Sequence, residues 1–211
     1  MNETVLMIFV LIGTVPAAIS GAMLGIQKEM DIFGVSILGL ATGVGGGAIR
    51  DILLGINPPA MFVDPVYAFT AIGTSMLTFF RVVHHEFTKH PKLYEMLMLV
   101  TDSMGLGVFT MVGVQTAFAQ GKDYSLFLIV FVGTITGVGG GVLRDLLAGR
   151  VPYILAKHHL YATACLVGAV AGALLWPVLG DLWAMVTGAL LIFLIRLLAA
   201  HYRWSLPKAK E

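Results

Sequence analysis

The sequence predicts an all-α integral membrane protein with seven transmembrane helices, arranged as two inverted three-helix repeats and a C-terminal seventh helix. Three observations carry this prediction. Only 12% of the 211 residues are charged and 58% are hydrophobic, whereas a soluble domain carries roughly 25% charged residues. The apolar residues gather in runs of about 20, the length that crosses roughly 30 Å of hydrocarbon. A fifteen-residue glycine-rich segment occurs twice, and its spacing divides the chain into halves.

Taken in order, the spans are residues 4–26, 32–55, 62–83, 94–118, 124–148, 158–178 and 182–202. The first is preceded only by Glu3, with no basic region, and is longer than a signal-peptide core, so it reads as a retained span. The others are separated by short polar punctuation such as Asn57-Pro58-Pro59, Gly121-Lys122-Asp123 and Arg150-Val151-Pro152. Lys28, Lys89, Lys92, Arg150, Lys157, Arg203, Lys208 and Lys210 fall on one side of the membrane, and Lys122 on the other. The positive-inside rule then places the N-terminus outside and the C-terminus in the cytoplasm. The expected location is the cell (inner) membrane, as a single multi-pass domain over residues 1–211. A net charge of +1 argues against a nucleic-acid partner.

The duplicated segment runs from Thr42 to Ile56 and from Thr136 to Arg150, with ten of fifteen positions identical. At the same offset of 94, Gly13 aligns with Gly107, Lys28 with Lys122, Pro58 with Pro152 and Tyr67 with Tyr161. The repeats are therefore read as residues 4–83 and 94–178, with the seventh helix at 182–202. Each copy holds three spans. An odd number inverts the second copy, giving a pseudo-two-fold axis in the membrane plane, as in many transport proteins. The two glycine triplets are then expected to meet near the midplane.

The chemistry of the repeated segment follows from its residue types. Gly45, Gly46 and Gly47, and Gly139, Gly140 and Gly141, each cost about 1 kcal/mol in a helix relative to alanine. They predict a kink or break, whose freed backbone groups need cover from protein or a water-filled cavity. Close helix packing is the alternative. Arg50, Asp51, Arg144 and Asp145 lie about one turn beyond the triplets, and intramembrane charges mark paths or ion-pair networks. Adjacent residues on a helix do not face each other, so each Arg and Asp is expected to find a partner elsewhere. Asp102, at the start of the fourth span, is a further intramembrane charge. Thr42 and Thr136 offer hydroxyl oxygens beside the triplets.

The remaining patterns carry less. Ala17, Gly21 and Gly25, and Ala164, Gly168 and Gly172, have the spacing of helix-packing faces. Cys165 reads as a small buried hydrophobe. Histidines 84, 85, 90, 158 and 159 read as interfacial polar residues. The sequence offers no metal-ligand spacing, no nucleophile–base pair and no phosphate loop, so an enzyme is not expected.

The paired Gly-Val-Gly-Gly-Gly-x-x-Arg-Asp segments, with Asp102-Ser-x-Gly-Leu-Gly-x-Phe109, resemble the prokaryotic branch of the trimeric intracellular cation (TRIC) channels over nearly the whole chain. The resemblance implies a homotrimer with a separate pore in each subunit, passing monovalent cations such as K⁺ and Na⁺. It implies that the triplets kink the second and fifth spans around that pore. The expected partners are a second and third copy of the chain and membrane lipids. No cofactor is expected beyond permeant cations and bound lipid. Inverted repeats also suit a secondary transporter of small amino acids such as glycine, which is the alternative reading, and a structural membrane scaffold is a third. Asp51, Asp145 or Asp102 would have to offset the two arginines for cations to pass.

Overall fold

The computed structural model describes residues 2–80, 91–155 and 161–204. The chain begins with α1 (Glu3–Gln27) and α2 (Ile32–Leu54), each opened by a side-chain cap. Asn2 accepts from the Thr4 amide at 3.2 Å, and Asp31 from the Gly34 amide at 2.8 Å. Such caps satisfy amides that a helix start leaves unpaired. The expected third span at 62–83 is two elements within its described part: a short α3 (Ala60–Val63) and α4 (Val66–Phe80). Pro65 causes the split. Its ring disfavours helical geometry in the preceding residue, and Asp64 is extended, at φ −119° and ψ 94°.

The second half contains α5 (Pro91–Ala119), α6 (Leu126–Leu147) and a 3₁₀ turn at Tyr153–Leu155. A last helical stretch, Ala162–His201, reverses direction at Gly180, which sits at φ 72° and ψ 173°. Gly168 lies against Ile192, and Trp176 Nε1 donates to Asp181 Oδ1 at 3.0 Å across the reversal. The stretch is therefore a hairpin of two antiparallel spans, α7 (residues 162–179) and α8 (residues 181–201). A side chain of Met111 from α5 wedges between Gly172 and Gly188, one on each arm. The molecule is thus a multi-pass membrane protein of seven spans.

Within the first repeat α1, α2 and α4 pack on one another; within the second, α5, α6 and α7 do the same. α2 crosses α6 at the centre, and α1 lies against α5. Small residues make these approaches. A Cβ placed on Gly21 would lie 2.5 Å from Thr42 Oγ1, and one on Gly113 would lie 2.5 Å from Thr136 Oγ1. This corrects the internal alignment. Thr42 and Thr136 are 94 apart, but Gly21 and Gly113 are 92 apart, so the first helix of each repeat is offset by 92. The two-residue slip is absorbed by the connection, which spans 28–31 in the first repeat and 120–125 in the second. Gly13 with Gly107 and Lys28 with Lys122 are not structural equivalents.

Candidate functional site

The repeated segment lies where α2 and α6 cross. Both helices run through their triplets as continuous α-helix, from Ile32 to Leu54 and from Leu126 to Leu147. The break expected at the triplets is absent. A Cβ on Gly46 would collide with the Thr136 carbonyl, and one on Gly140 with the Thr42 carbonyl. The middle glycines let two backbones touch. The first glycines receive an apolar side chain from the opposite helix: Leu143 packs on Gly45, and Ile49 packs on Gly139. The third glycines face away from this contact, with the nearest heavy atom to a Cβ on Gly47 being Arg50 Nη2 at 3.8 Å. The Thr42 and Thr136 hydroxyls are buried and donate to their own helices, at 2.6 Å to the Leu38 and Val132 carbonyls.

Each repeated segment ends in a left-handed glycine. Gly55 has φ 71° and Gly149 has φ 66°. The amide after each glycine bonds back to the aspartate carbonyl, Ile56 to Asp51 at 2.8 Å and Arg150 to Asp145 at 3.0 Å. This helix stop requires positive φ, which glycine adopts without penalty.

The charged pairs are not arranged as expected. Arg50 folds back onto its own neighbour, with Nε 2.8 Å and Nη2 2.7 Å from Asp51 Oδ1. Arg144 Nε likewise donates to Asp145 Oδ1 at 2.9 Å. The helical rule holds for short side chains; arginine is long enough to curl around the helix to its neighbour. The second carboxylate oxygen holds the chain that follows. Asp51 Oδ2 accepts from the Ala60 amide at 2.8 Å, and Asp145 Oδ2 from the Tyr153 amide at 2.6 Å. These equivalent amides pair Pro59, not Pro58, with Pro152.

Here the symmetry ends. Arg144 Nη1 also donates to Asp102 Oδ1 and Ser20 Oγ, each at 2.6 Å. At an offset of 92, Asp102 corresponds to Val10, and Ser20 to Val112. Both valines line a cavity of about 210 Å³ beside Arg50, Asp51 and Tyr67, on the face that carries the N-terminus. On the opposite face a cavity of about 480 Å³ is lined by Asp102, Arg144, Arg150, Tyr153 and Arg196. The α2–α6 crossing stands between the two. One cavity is mainly apolar, with one ion pair; the other is densely charged. Burial holds the Tyr153 phenol above its ordinary value of 10, so it remains a hydrogen-bond donor at neutral pH.

The second cavity includes residues that sequence reasoning passed over. Arg150 donates twice to Asp145 Oδ1, at 3.0 and 2.8 Å. Arg196 on α8 is 1% exposed and lies 3.8 Å from Asp102 Oδ2. Its signal was present: a single charge in the apolar run from Leu190 to Leu198. Gly21, Gly25, Gly168 and Gly172 pack within the subunit, and Cys165 is buried. The histidines at 84, 85, 90, 158 and 159 lie outside the described residues.

A family model described as "Glycine transporter" matches residues 7–82 and 99–177. The chain belongs to this family. A UPF0126 membrane protein of Deinococcus radiodurans is 38% identical, over 98% of this chain and 97% of the relative. The UPF0126 inner membrane protein YadS of Escherichia coli K12 is 39% identical, over 93% and 92%. Two solved structures share the fold of this family member throughout. One is a TRIC cation channel, with TM-score 0.84, 37% identity and 97% of each chain covered. The other is the TRIC trimeric intracellular cation channel orthologue from Rhodobacter sphaeroides, with TM-score 0.85, 33% identity, and 95% and 99% covered. The expected resemblance to prokaryotic TRIC channels is thereby shown, and the two solved structures are of channels rather than enzymes.

Proposed function

We propose that the protein is a cation channel for monovalent ions such as K⁺ and Na⁺. The observation that carries this reading is the α2–α6 crossing, with a cavity on each side of it and an Arg-Asp pair facing each cavity. A path from one cavity to the other would pass Gly45–Gly47 and Gly139–Gly141, where the touching backbones and the Leu143 and Ile49 side chains separate the two spaces. Here Arg50 and Arg144 are compatible with cation passage because Asp51, Asp145 and Asp102 offset these two directly. The packed crossing corresponds to a closed state, so opening requires α2 and α6 to part. The solved channel of Rhodobacter sphaeroides is described as trimeric, which supports a homotrimer with one path per subunit. The basic-residue bias supports an N-terminus outside and a cytoplasmic C-terminus.

A second reading is secondary transport of a small amino acid such as glycine. The family model's description favours it, and two cavities separated by a closed midpoint also fit alternating access. Planar-bilayer recording of the purified protein separates the two. Unitary currents with K⁺ selected over Cl⁻ support the channel. Saturable glycine uptake into vesicles without unitary currents establishes the transporter instead.

A further inference from the structure

The bundle buries one cationic side chain for which the repeat supplies no equivalent. Arg196 comes from α8, outside both repeats. Its Nη2 is 3.8 Å from Asp102 Oδ2, beyond hydrogen-bonding distance, and the guanidinium shares a side-chain hydrogen bond with the Tyr153 phenol. Its Nε and Nη1 are buried and have no hydrogen-bond partner among the described residues. The guanidinium lies 4.6 Å from the Tyr161 ring centroid and 5.6 Å from that of Tyr153. Those rings recover part of the cost of burial, but a buried charge without full pairing is expensive.

Three of the four surrounding carboxylate oxygens are already committed, and the fourth, Asp102 Oδ2, is the one 3.8 Å from Arg196. Asp102 Oδ1 serves Arg144, Asp145 Oδ1 serves Arg144 and Arg150, and Asp145 Oδ2 serves the Tyr153 amide. Three guanidinium groups, of which Arg150 is 32% exposed, therefore share the buried Asp145 and half-buried Asp102 carboxylates, while Glu95 is exposed at the cavity mouth. The local excess is positive, and Arg196 is the group least well paired.

We propose that this cavity binds a small monovalent anion, a halide or a carboxylate, against Arg196. The space of about 480 Å³ exceeds the roughly 30 Å³ occupied by one water in the liquid, so such an ion enters with some of its hydration. The site is confined to one face. Across the pseudo-two-fold axis, Val10 and Val112 stand in place of Asp102 and Ser20, Arg50 has Asp51 to itself, and among the described residues no helix corresponds to α8. The bound anion neutralises the excess positive charge at one mouth of the α2–α6 crossing. This inference does not depend on whether the protein conducts cations or carries an amino acid, because its test measures binding.

The test uses the purified full chain at fixed sodium concentration and ionic strength. The sulfonate buffer anion MES, neither a halide nor a carboxylate, is replaced stepwise by chloride, bromide or acetate, and the melting temperature is followed. A saturable rise is expected, and the halide and acetate series distinguish the two sources of charge. Arg196→Gln should raise the half-saturating concentration by roughly tenfold or more, the scale of one charged hydrogen bond. Arg196→Lys, which keeps the charge, should retain part of the response. Crystals soaked in bromide should show anomalous density beside Arg196. Equal melting in all four salts overturns the proposal, as does a response that Arg196→Gln leaves unchanged. If Arg196→Gln does not fold, the bromide density of the unaltered protein decides alone: a peak beside Arg196 supports the site, and its absence rejects it.

Discussion

Gly46→Ala and Gly47→Ala change adjacent residues of one triplet and should have opposite effects. Either substitution gains about 1 kcal/mol of helix propensity. At Gly47 nothing opposes that gain, because the nearest atom to the new methyl is Arg50 Nη2 at 3.8 Å, an ordinary contact. At Gly46 the methyl would meet the Thr136 carbonyl, with the Thr136 carbon at 3.2 Å and the Gly140 nitrogen at 3.3 Å. All three are backbone atoms and cannot rotate away. The helices must part by roughly 1 Å, and overpacking of this kind costs about 1–3 kcal/mol. The net effect at Gly46 is a loss of up to about 2 kcal/mol, against a gain of up to about 1 kcal/mol at Gly47. Thermal unfolding of both variants in the same detergent reads the difference directly. The order of melting should be Gly47→Ala at or above the unaltered protein, and Gly46→Ala below it. If both variants melt lower by similar amounts, the triplet works through flexibility and the close-contact argument fails. If neither moves, α2 and α6 are not in backbone contact.

Two further perturbations probe other parts of the bundle. Asp102→Asn removes the charged partner of Arg144 and the nearest carboxylate to Arg196, and breaking a buried pair in this way costs roughly 3–5 kcal/mol. Denaturant unfolding should show the loss, and a change under about 1 kcal/mol would mean that Asp102 does not hold α5 to α6 and α8. Gly180→Ala puts a side chain at φ 72° and ψ 173°, a region essentially restricted to glycine, where no atom lies within 4 Å, so only backbone strain acts, at about 1–3 kcal/mol. Gly180→Asn should cost a similar amount, because asparagine tolerates positive φ with ψ of about 45° and not with ψ of about 180°; equal melting of the Ala variant and the original would contradict the reversal at Gly180.

Much of the architecture was legible because the bilayer imposes it. Runs of about 20 apolar residues have few alternatives in lipid, and the parity of three spans per copy forces inversion. The Gly180 reversal was anticipated as a boundary between spans. The slips of two residues in the first connection and one near Pro59 were hidden, because a constant offset through the strongest motif conceals insertions in the loops. The helix break at the triplets was a misjudgement of the same kind. Propensity treats each glycine as a cost, whereas here the missing side chain is what a neighbouring backbone requires.

The sequence by itself determined that the chain spans the membrane seven times, that two inverted copies of one unit meet at glycine triplets, and that charge lies one turn beyond them. Those features follow from composition, length and repetition, which are properties of the chain read in one dimension. Only the tertiary structure decided which charges meet. Arg144, Asp102, Ser20 and Arg196 come from different spans and Tyr153 from the turn after α6, and Arg50 curls onto its neighbour where a distant partner was expected. Pairing of this kind depends on side-chain reach and on which helices are neighbours. The repeat specifies an Arg-Asp pair on each face, but α8 occurs once among the described residues, so packing makes one cavity mainly apolar and the other densely charged.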